Sequence, residues 1–114
     1  MESVEDKIFS VSEFIYLLNI GLKSSKAKII GEVTEVKISS LGHVYFTLKD
    51  EKDGAVINCI IWKTRYNLYG IRLETGMKIL ASGYPEIYAP LGKLSFIAET
   101  IELSGAGELK KQYD

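Results

Sequence analysis

The chain has 114 residues, with 14 Lys or Arg, 15 Asp or Glu and a formal net charge of −1. This length fits one domain with its own core, and the near-neutral balance argues against a strongly basic nucleic-acid binder. The sequence has no apolar run near the roughly 20 residues of a membrane span and no signal-peptide pattern at its acidic N-terminus. We therefore expect a soluble, cytoplasmic protein that makes no contact with a membrane.

Residue types that carry catalysis are scarce. Cys59 is the only cysteine and His43 the only histidine, so we expect neither a disulfide nor a metal site. The acidic residues of the segment DEKD (50–53) are close in sequence, but no His or Cys set accompanies them, and we interpret them as a solvated hairpin turn. The sequence predicts a chain without catalytic residues and without a cofactor.

Positive charge is concentrated in the middle of the chain. From Lys37 to Lys93 there are eight basic and five acidic residues, whereas the two flanks together carry six basic and ten acidic residues. This distribution is either random scatter or the sign of a middle region that faces a polyanion.

The first predicted element is a helix over about residues 11–22. Ser10 and Glu13 have the spacing of a capping box, in which each side chain bonds a free backbone N–H at the helix start. An apolar stripe follows at helical spacing, and we expect it to be buried on the same domain or on a neighbouring one. The stripe consists of Val11, Phe14, Ile15, Leu18 and Leu22.

Five strands are predicted after the helix. HVYFTLKD is the clearest, and Gly31 inside the first strand suggests a bend. KISSLG (37–42) is predicted as a turn, and Pro85 indicates an edge, a bend or a bulge in the fourth strand. The strands are expected at residues 29–36, 43–50, 55–62, 77–88 and 94–103. The expected core includes Phe46, Leu48, Ile57, Cys59, Ile79 and Phe96.

The strand order predicts a small barrel. A long connector, helical over a short stretch at most, separates the third strand from the fourth, and this favours the OB plan over an SH3-like barrel. We expect a mainly β protein, a five-stranded OB-fold Greek-key barrel with an N-terminal α-helix. Residues 1–27 would form a helical extension, residues 28–103 the barrel, and residues 104–114 the start of a linker to a downstream domain.

The segment SSLGHVYFTLKDEKDG (39–54) resembles the N-terminal OB domain of the exonuclease VII large subunit. SVSEF and IIGEV precede it in the order that this family shows. The resemblance implies binding of single-stranded DNA for a nuclease domain downstream, with a small subunit as a further partner. Two later motifs of the family are matched by Ile57, Cys59 and Trp62 and by Tyr88, Pro90 and Gly92.

The chain departs from this family in its basic residues. The family is rich in arginine after the position of Trp62, and this chain has only Lys63, Arg65 and Arg72 there. Leu91 stands where the family often has a basic residue. Since each lost phosphate contact weakens binding, we expect modest affinity.

OB folds bind oligonucleotides across the outer face of strands 2 and 3, between the loops that join strands 1–2 and 4–5. Tyr45 for stacking and Lys49 for phosphate are the first candidates, and the alternative for Tyr45 is packing against the helix. His43 either contacts nucleic acid or stabilises its turn through a hydrogen bond. The other phosphate or base contacts are expected from Lys37, Ser39 and Ser40 in the first loop, Asn58 on the third strand, Lys63 and Arg65 after it, and Lys93 beside the last loop.

Two aromatic candidates have structural alternatives. Trp62 is either a stacking platform or the packing anchor of the connector. Tyr88 either stacks on a base or braces Pro90. At the level of function, three hypotheses stay open: a single-stranded DNA-binding module of a nuclease, a stand-alone protein-interaction or assembly module, and an RNA-binding module.

Overall fold

A computed structural model describes residues 7–69 and 71–105. The predicted linker therefore lies mostly outside the described residues, and its assignment stays a prediction. No helix in the described ranges is long and apolar enough to cross a bilayer. The elements are α1 (Val11–Lys23), β1 (Ala27–Ile38), β2 (Val44–Lys49), β3 (Val56–Ile61), α2 (Lys63–Tyr69), β4 (Lys78–Tyr88) and β5 (Lys93–Leu103).

The five strands close into a barrel in the order β1-β2-β3-β5-β4. β1 is antiparallel to both of its neighbours, whereas β3 and β5 run parallel. A parallel pair needs a crossover connection, which here contains α2 and β4. This strand order confirms the predicted OB-fold barrel with an N-terminal helix.

The barrel interior is filled by the side chains that alternate along each strand. On β2, Val44, Phe46 and Leu48 are at most 3% exposed. Burying a side chain of this kind stabilises the fold by about 1.5–3 kcal/mol. The predicted core is confirmed except at Ile57, which is only half-buried because it lies next to the exposed start of β3, although it still packs against the core.

β1 extends further than the sequence predicted. It pairs with β4 through its first half, Ala27–Glu32, and with β2 through its second half, up to Ile38. The predicted turn over residues 37–42 is therefore wrong at its start. Lys37 lies on β1 opposite Tyr45, rather than in the loop.

Close backbone approach occurs at two glycines. A Cβ on Gly83 would lie 1.9 Å from the carbonyl oxygen of Ile97, so the irregular pairing at this point of β4 requires glycine. A Cβ on Gly31 would lie 3.2 Å from the Cβ of Leu48. The irregularity of β1 itself lies slightly further on, between Val33 and Glu35. Gly31 thus serves close packing on β2.

α1 begins with the predicted capping box. The Ser10 hydroxyl accepts from the Glu13 N–H at 3.1 Å, and the Glu13 carboxylate accepts from the Ser10 N–H at 2.9 Å. These bonds to Ser10 hold the pKa of Glu13 below its usual value. The capping box therefore forms as the sequence indicated.

The apolar stripe of α1 is not buried on this domain, so that part of the expectation is wrong, whereas burial on a neighbouring domain stays a prediction. No residue of the helix is fully buried, and Phe14 is 52% exposed. The helix contacts the barrel along β4, and only Ile15, Asn19 and Leu22 are half-buried. A single strand offers too narrow a surface to cover a helix that is apolar on more than one side.

Candidate nucleic-acid interface

A groove of about 770 Å³ opens on the outer face of the barrel, over β2, β3 and β5. It lies between L12 (residues 39–43), which joins β1 to β2, and L45 (residues 89–92), which joins β4 to β5. Its floor includes Ile60 and Ile97, which are paired neighbours and each 6% exposed. The groove therefore has a buried apolar floor and lies where OB folds bind oligonucleotides.

The two isoleucines of the floor were missed by sequence reasoning. Strand alternation placed Ile60 on the outward face, where polar residues are the rule. The segment AVINCIIW contained a signal for this floor. Its last four residues, CIIW, are all apolar, so they place apolar side chains on both faces of the strand. A strand that is apolar on both faces is as a rule covered on both sides. Here the aromatic side chains of Tyr45, Trp62 and Tyr88 line the same groove as the two isoleucines.

Three aromatic side chains line the groove. Tyr45 projects from β2, Trp62 directly follows β3, and Tyr88 ends β4. They are 46%, 43% and 58% exposed, respectively. α1 contacts the barrel along β4, which is not a neighbour of β2. Each ring is thus partly buried and keeps exposed area for stacking.

His43 and Ser39 support the L12 end of the groove. The His43 Nδ1 accepts from the backbone N–H of Lys63 at 3.0 Å, and the His43 N–H donates to the Ser39 hydroxyl at 3.1 Å. The His43 ring meets Trp62 edge-on, with 5.0 Å between ring centroids. These bonds match the turn-stabilising interpretation of His43, and Trp62 is both packed against it and partly exposed.

The charges in the groove are nearly balanced. Lys37 and Lys93 line it, together with Glu35 and Glu86. The Lys37 ammonium lies 3.3 Å from a Glu35 carboxylate oxygen. Lys93 lies opposite Tyr88 beside L45, and no ion pair to it is found among the described residues. Of the two groove lysines, Lys93 is therefore the one without an ion pair among the described residues.

Negative charge increases further along β4. The pKa of Tyr84 is raised by burial and, to a smaller extent, by the carboxylates of Glu86 and Glu99. Phosphates would be repelled from this part of the β4–β5 face. The two groove lysines therefore offer phosphates a more favourable environment than the part of β4 around Tyr84 does.

The other predicted contacts divide into two sets. Asn58 lines the groove, with its side-chain oxygen 3.3 Å from the Thr47 hydroxyl. The structure does not bring the remaining four into the groove. Lys49 is on the same outer face as Tyr45 but at the far end of β2, beyond Thr47. The other three are exposed, on L12 and α2, and are Ser40, Lys63 and Arg65.

The acidic turn between β2 and β3 is built as a hairpin. The Asp50 carboxylate accepts from the Lys52 N–H, and that of Asp53 from the Ala55 N–H. In the described part of the chain there is no group of three or more His, Cys, Asp or Glu that could hold a metal ion. Burial raises the pKa of the Cys59 thiol to about 12, so it is not a nucleophile near neutral pH.

The strand order and the groove together define an OB-fold domain. A family model described as "OB-fold nucleic acid binding domain" matches residues 9–102, and the chain belongs to that family.

Curated relatives confirm the resemblance to the exonuclease VII large subunit. The exodeoxyribonuclease 7 large subunit of Nautilia profundicola is 42% identical over 84 residues, which are 74% of this chain and 18% of the relative. That of Mycoplasma mycoides subsp. mycoides is 32% identical over 114 residues, or 96% of this chain and 24% of the relative. The chain thus spans about a fifth to a quarter of the length of these relatives.

A solved structure shows the same fold at low sequence identity. The N-terminal domain of PriB from Thermoanaerobacter tencongensis, described as dimeric, superposes with a TM-score of 0.59 and 19% identity. The match covers 68% of this chain and 93% of the PriB domain. This likeness supports the barrel architecture.

Proposed function

We propose that this domain binds single-stranded DNA in the groove and presents it to a nuclease active site carried elsewhere in an exonuclease VII-like large subunit. The observation that carries the proposal is the set of three half-exposed rings on one concave face, Tyr45, Trp62 and Tyr88. Lys37 on β1 and Lys93 at the start of β5 accompany them in the groove. Aromatic platforms beside cations are the usual means of holding a single strand.

The shape of the groove favours unpaired bases. Stacking on Tyr45 or Trp62 requires access to the face of a base, which duplex DNA does not offer. The apolar floor of Ile60 and Ile97 gives such a base a water-poor contact surface. Base stacking is tolerant of sequence, so we expect little base preference.

The charges indicate modest affinity. Only two lysines line the groove, and Lys37 already pairs with Glu35. A single strand bound mainly by stacking and two phosphate contacts should have a Kd on the order of micromolar or weaker. Tethering to a nuclease domain would compensate, because a linked site acts at high effective concentration.

The nuclease part of the proposal comes from the relatives. Their names describe an exodeoxyribonuclease, and the matched segment is about a fifth to a quarter of their length. A downstream nuclease domain, and a small subunit beside it, are the partners that we propose for this domain. We place this complex in the cytoplasm.

Fluorescence anisotropy with a labelled 15-base DNA strand at two salt concentrations tests the proposal. Binding should saturate and should weaken as salt increases, with unlabelled duplex of the same length competing poorly. A matched RNA strand decides between DNA and RNA. Equal or stronger competition by RNA, or no binding of either strand, would overturn the proposal.

The exposed face of α1 favours a second candidate function, in protein assembly. Phe14, Leu17 and Ile20 are between 46% and 53% exposed on one short helix. If docking through this face is the only function of the domain, the chain should show no oligonucleotide affinity. It would form a stable complex with the remainder of a related large subunit, detectable by sedimentation velocity and lost on Phe14→Ser substitution.

A further inference from the structure

One side chain links α1 to the strand that ends in the groove. The Asn19 side-chain amide donates to the carbonyl oxygen of Ile87 at 3.0 Å, and its oxygen accepts from the Ile87 N–H at 2.8 Å. Asn19 therefore satisfies both backbone groups of a residue that is 68 positions away in the chain. An amide side chain that pairs in this way takes the place of a neighbouring strand.

Ile87 lies on a stretch of β4 that has no neighbouring strand on the side where β1 pairs with the first half of β4. β1 pairs with β4 only as far as Gly83, whereas β5 continues to pair up to Tyr88. Beyond Gly83 the edge of β4 is free. β5 still pairs with β3 up to Phe96, the partner of Pro85, so residues 86–88 and 93–95 form a two-stranded ribbon, and an isolated ribbon of this kind is marginally stable. Pro85, two residues before Ile87 and facing the same edge, has no N–H to satisfy.

The end of this ribbon is one wall of the groove. Tyr88 follows Ile87 directly, and Lys93 lies opposite Tyr88 across L45. Both side chains line the groove. They supply the most exposed of its three rings and a lysine for which no ion pair is found within residues 7–69 and 71–105. Any twist or fraying of the ribbon at Ile87 would move both of them.

We propose that Asn19 is a positioning residue, which braces the ribbon so that Tyr88 and Lys93 stay over the groove. This inference rests on the proposed DNA binding and deepens it, because Asn19 contacts the strand and not the DNA. The helix is then a functional part of the binding site. Its half-buried residues Ile15 and Leu22 hold it on β4, and Asn19 sets the register of the contact.

The test is a double-mutant cycle on DNA affinity in the whole chain. Asn19→Ala should weaken binding by about fivefold, the equivalent of one lost stacking contact of about 1 kcal/mol. Combined with Tyr88→Ala it should add little further loss, because both changes remove the same contact. Combined with Tyr45→Ala the losses should multiply, since Tyr45 stands on β2, which has its own neighbours.

Hydrogen exchange measures the brace without DNA. The Ile87 amide should exchange about fivefold to tenfold faster in Asn19→Ala, while amides of β2 keep their protection. Asn67→Ala on α2, which removes an exposed amide and leaves α1 unchanged, is the matched control. It should bind DNA within twofold of the unmodified chain.

Each outcome decides the inference. If Asn19→Ala has the same coupling energy in DNA affinity with Tyr88→Ala as with Tyr45→Ala, its effect is general destabilisation. That result would overturn the positioning role. Unchanged affinity and unchanged Ile87 exchange in Asn19→Ala would overturn it as well, with DNA binding left standing. Absence of DNA binding in the unmodified chain would instead remove the proposed function, and the positioning role with it.

Discussion

Two surfaces of this molecule expose aromatic side chains, and they differ in every other respect. The groove is concave, stands on hydrogen-bonded strands and carries two lysines. The outer face of α1, which we call the α1 face, includes Phe14, Tyr16 and Leu17 on a helix without a buried residue. Exposed aromatic area by itself therefore does not mark a nucleic-acid site. A buried apolar floor and two lysines distinguish the groove.

The largest expected difference lies in the aromatic rings. Tyr45→Ala or Trp62→Ala should each lower affinity for single-stranded DNA by about fivefold to 150-fold, the equivalent of about 1–3 kcal/mol per stacked base. Tyr16→Ala on the α1 face is the matched control and should change affinity by less than about twofold. Anisotropy titrations measure all three variants. A larger loss in Tyr16→Ala than in Tyr45→Ala would reverse the comparison.

Cys59, which is 2% exposed beneath the groove, tests whether the groove floor stays closed in the folded chain. Burial raises its pKa from 9.0 to about 12, so above pH 9 the unfolded chain loses this proton while the folded chain keeps it. Stability should therefore fall by up to about 1.4 kcal/mol per pH unit as pH rises from 9 toward 12.

Urea denaturation at several pH values, with Cys59→Ala as the reference, isolates this contribution. The difference between the two chains should be constant below pH 8 and should change only above about pH 9. A thiol that reacts with iodoacetamide at pH 8 as fast in the folded chain as in urea would show that the floor opens.

The two lysines should have smaller effects than the rings. Lys93→Ala should weaken binding by about fivefold, or about 1 kcal/mol for one phosphate contact in water. It should also reduce the slope of log affinity against log salt by about 0.7. Lys37→Ala should have a weaker effect because Glu35 already neutralises part of its charge. Lys23→Ala on α1 is the control, and a loss equal to that of Lys93→Ala would contradict the assignment.

The smallest expected change is a gain. Glu86→Gln removes a carboxylate from the groove wall and should raise affinity for single-stranded DNA by about twofold at low salt, less at high salt. Glu74→Gln, an exposed carboxylate outside the groove, should leave affinity unchanged. Weaker binding in Glu86→Gln would mean that this side chain contacts the DNA directly.

Most of the fold was predictable because its signals are local. The capping box at Ser10 and the alternation of Val44, Phe46 and Leu48 each depend on residues near in sequence. The long connector between the third and fourth strands predicted an OB barrel, and the closed order with β5 between β3 and β4 confirms it. The misplaced turn at Lys37 shows the limit, since β1 is extended by pairing with two different strands.

The candidate site was less predictable because the groove depends on contacts distant in sequence. Tyr45, Trp62 and Tyr88 come together from three strands, and their residue types pointed to stacking before their positions were known. Lys49 is on the predicted face but outside the groove, because periodicity gives a face and not its width. The pairing of Asn19 with Ile87 left no trace in the local pattern.

Trp62 provides the most direct test, since it is the only tryptophan of the chain and lines the groove. A titration of the unmodified chain with labelled single-stranded DNA should follow DNA anisotropy and Trp62 emission together. If DNA stacks in the groove, both signals should change with one midpoint, and that midpoint should shift to higher DNA concentration as salt increases. An anisotropy rise with unchanged Trp62 emission would place the DNA elsewhere on the molecule and would contradict the account.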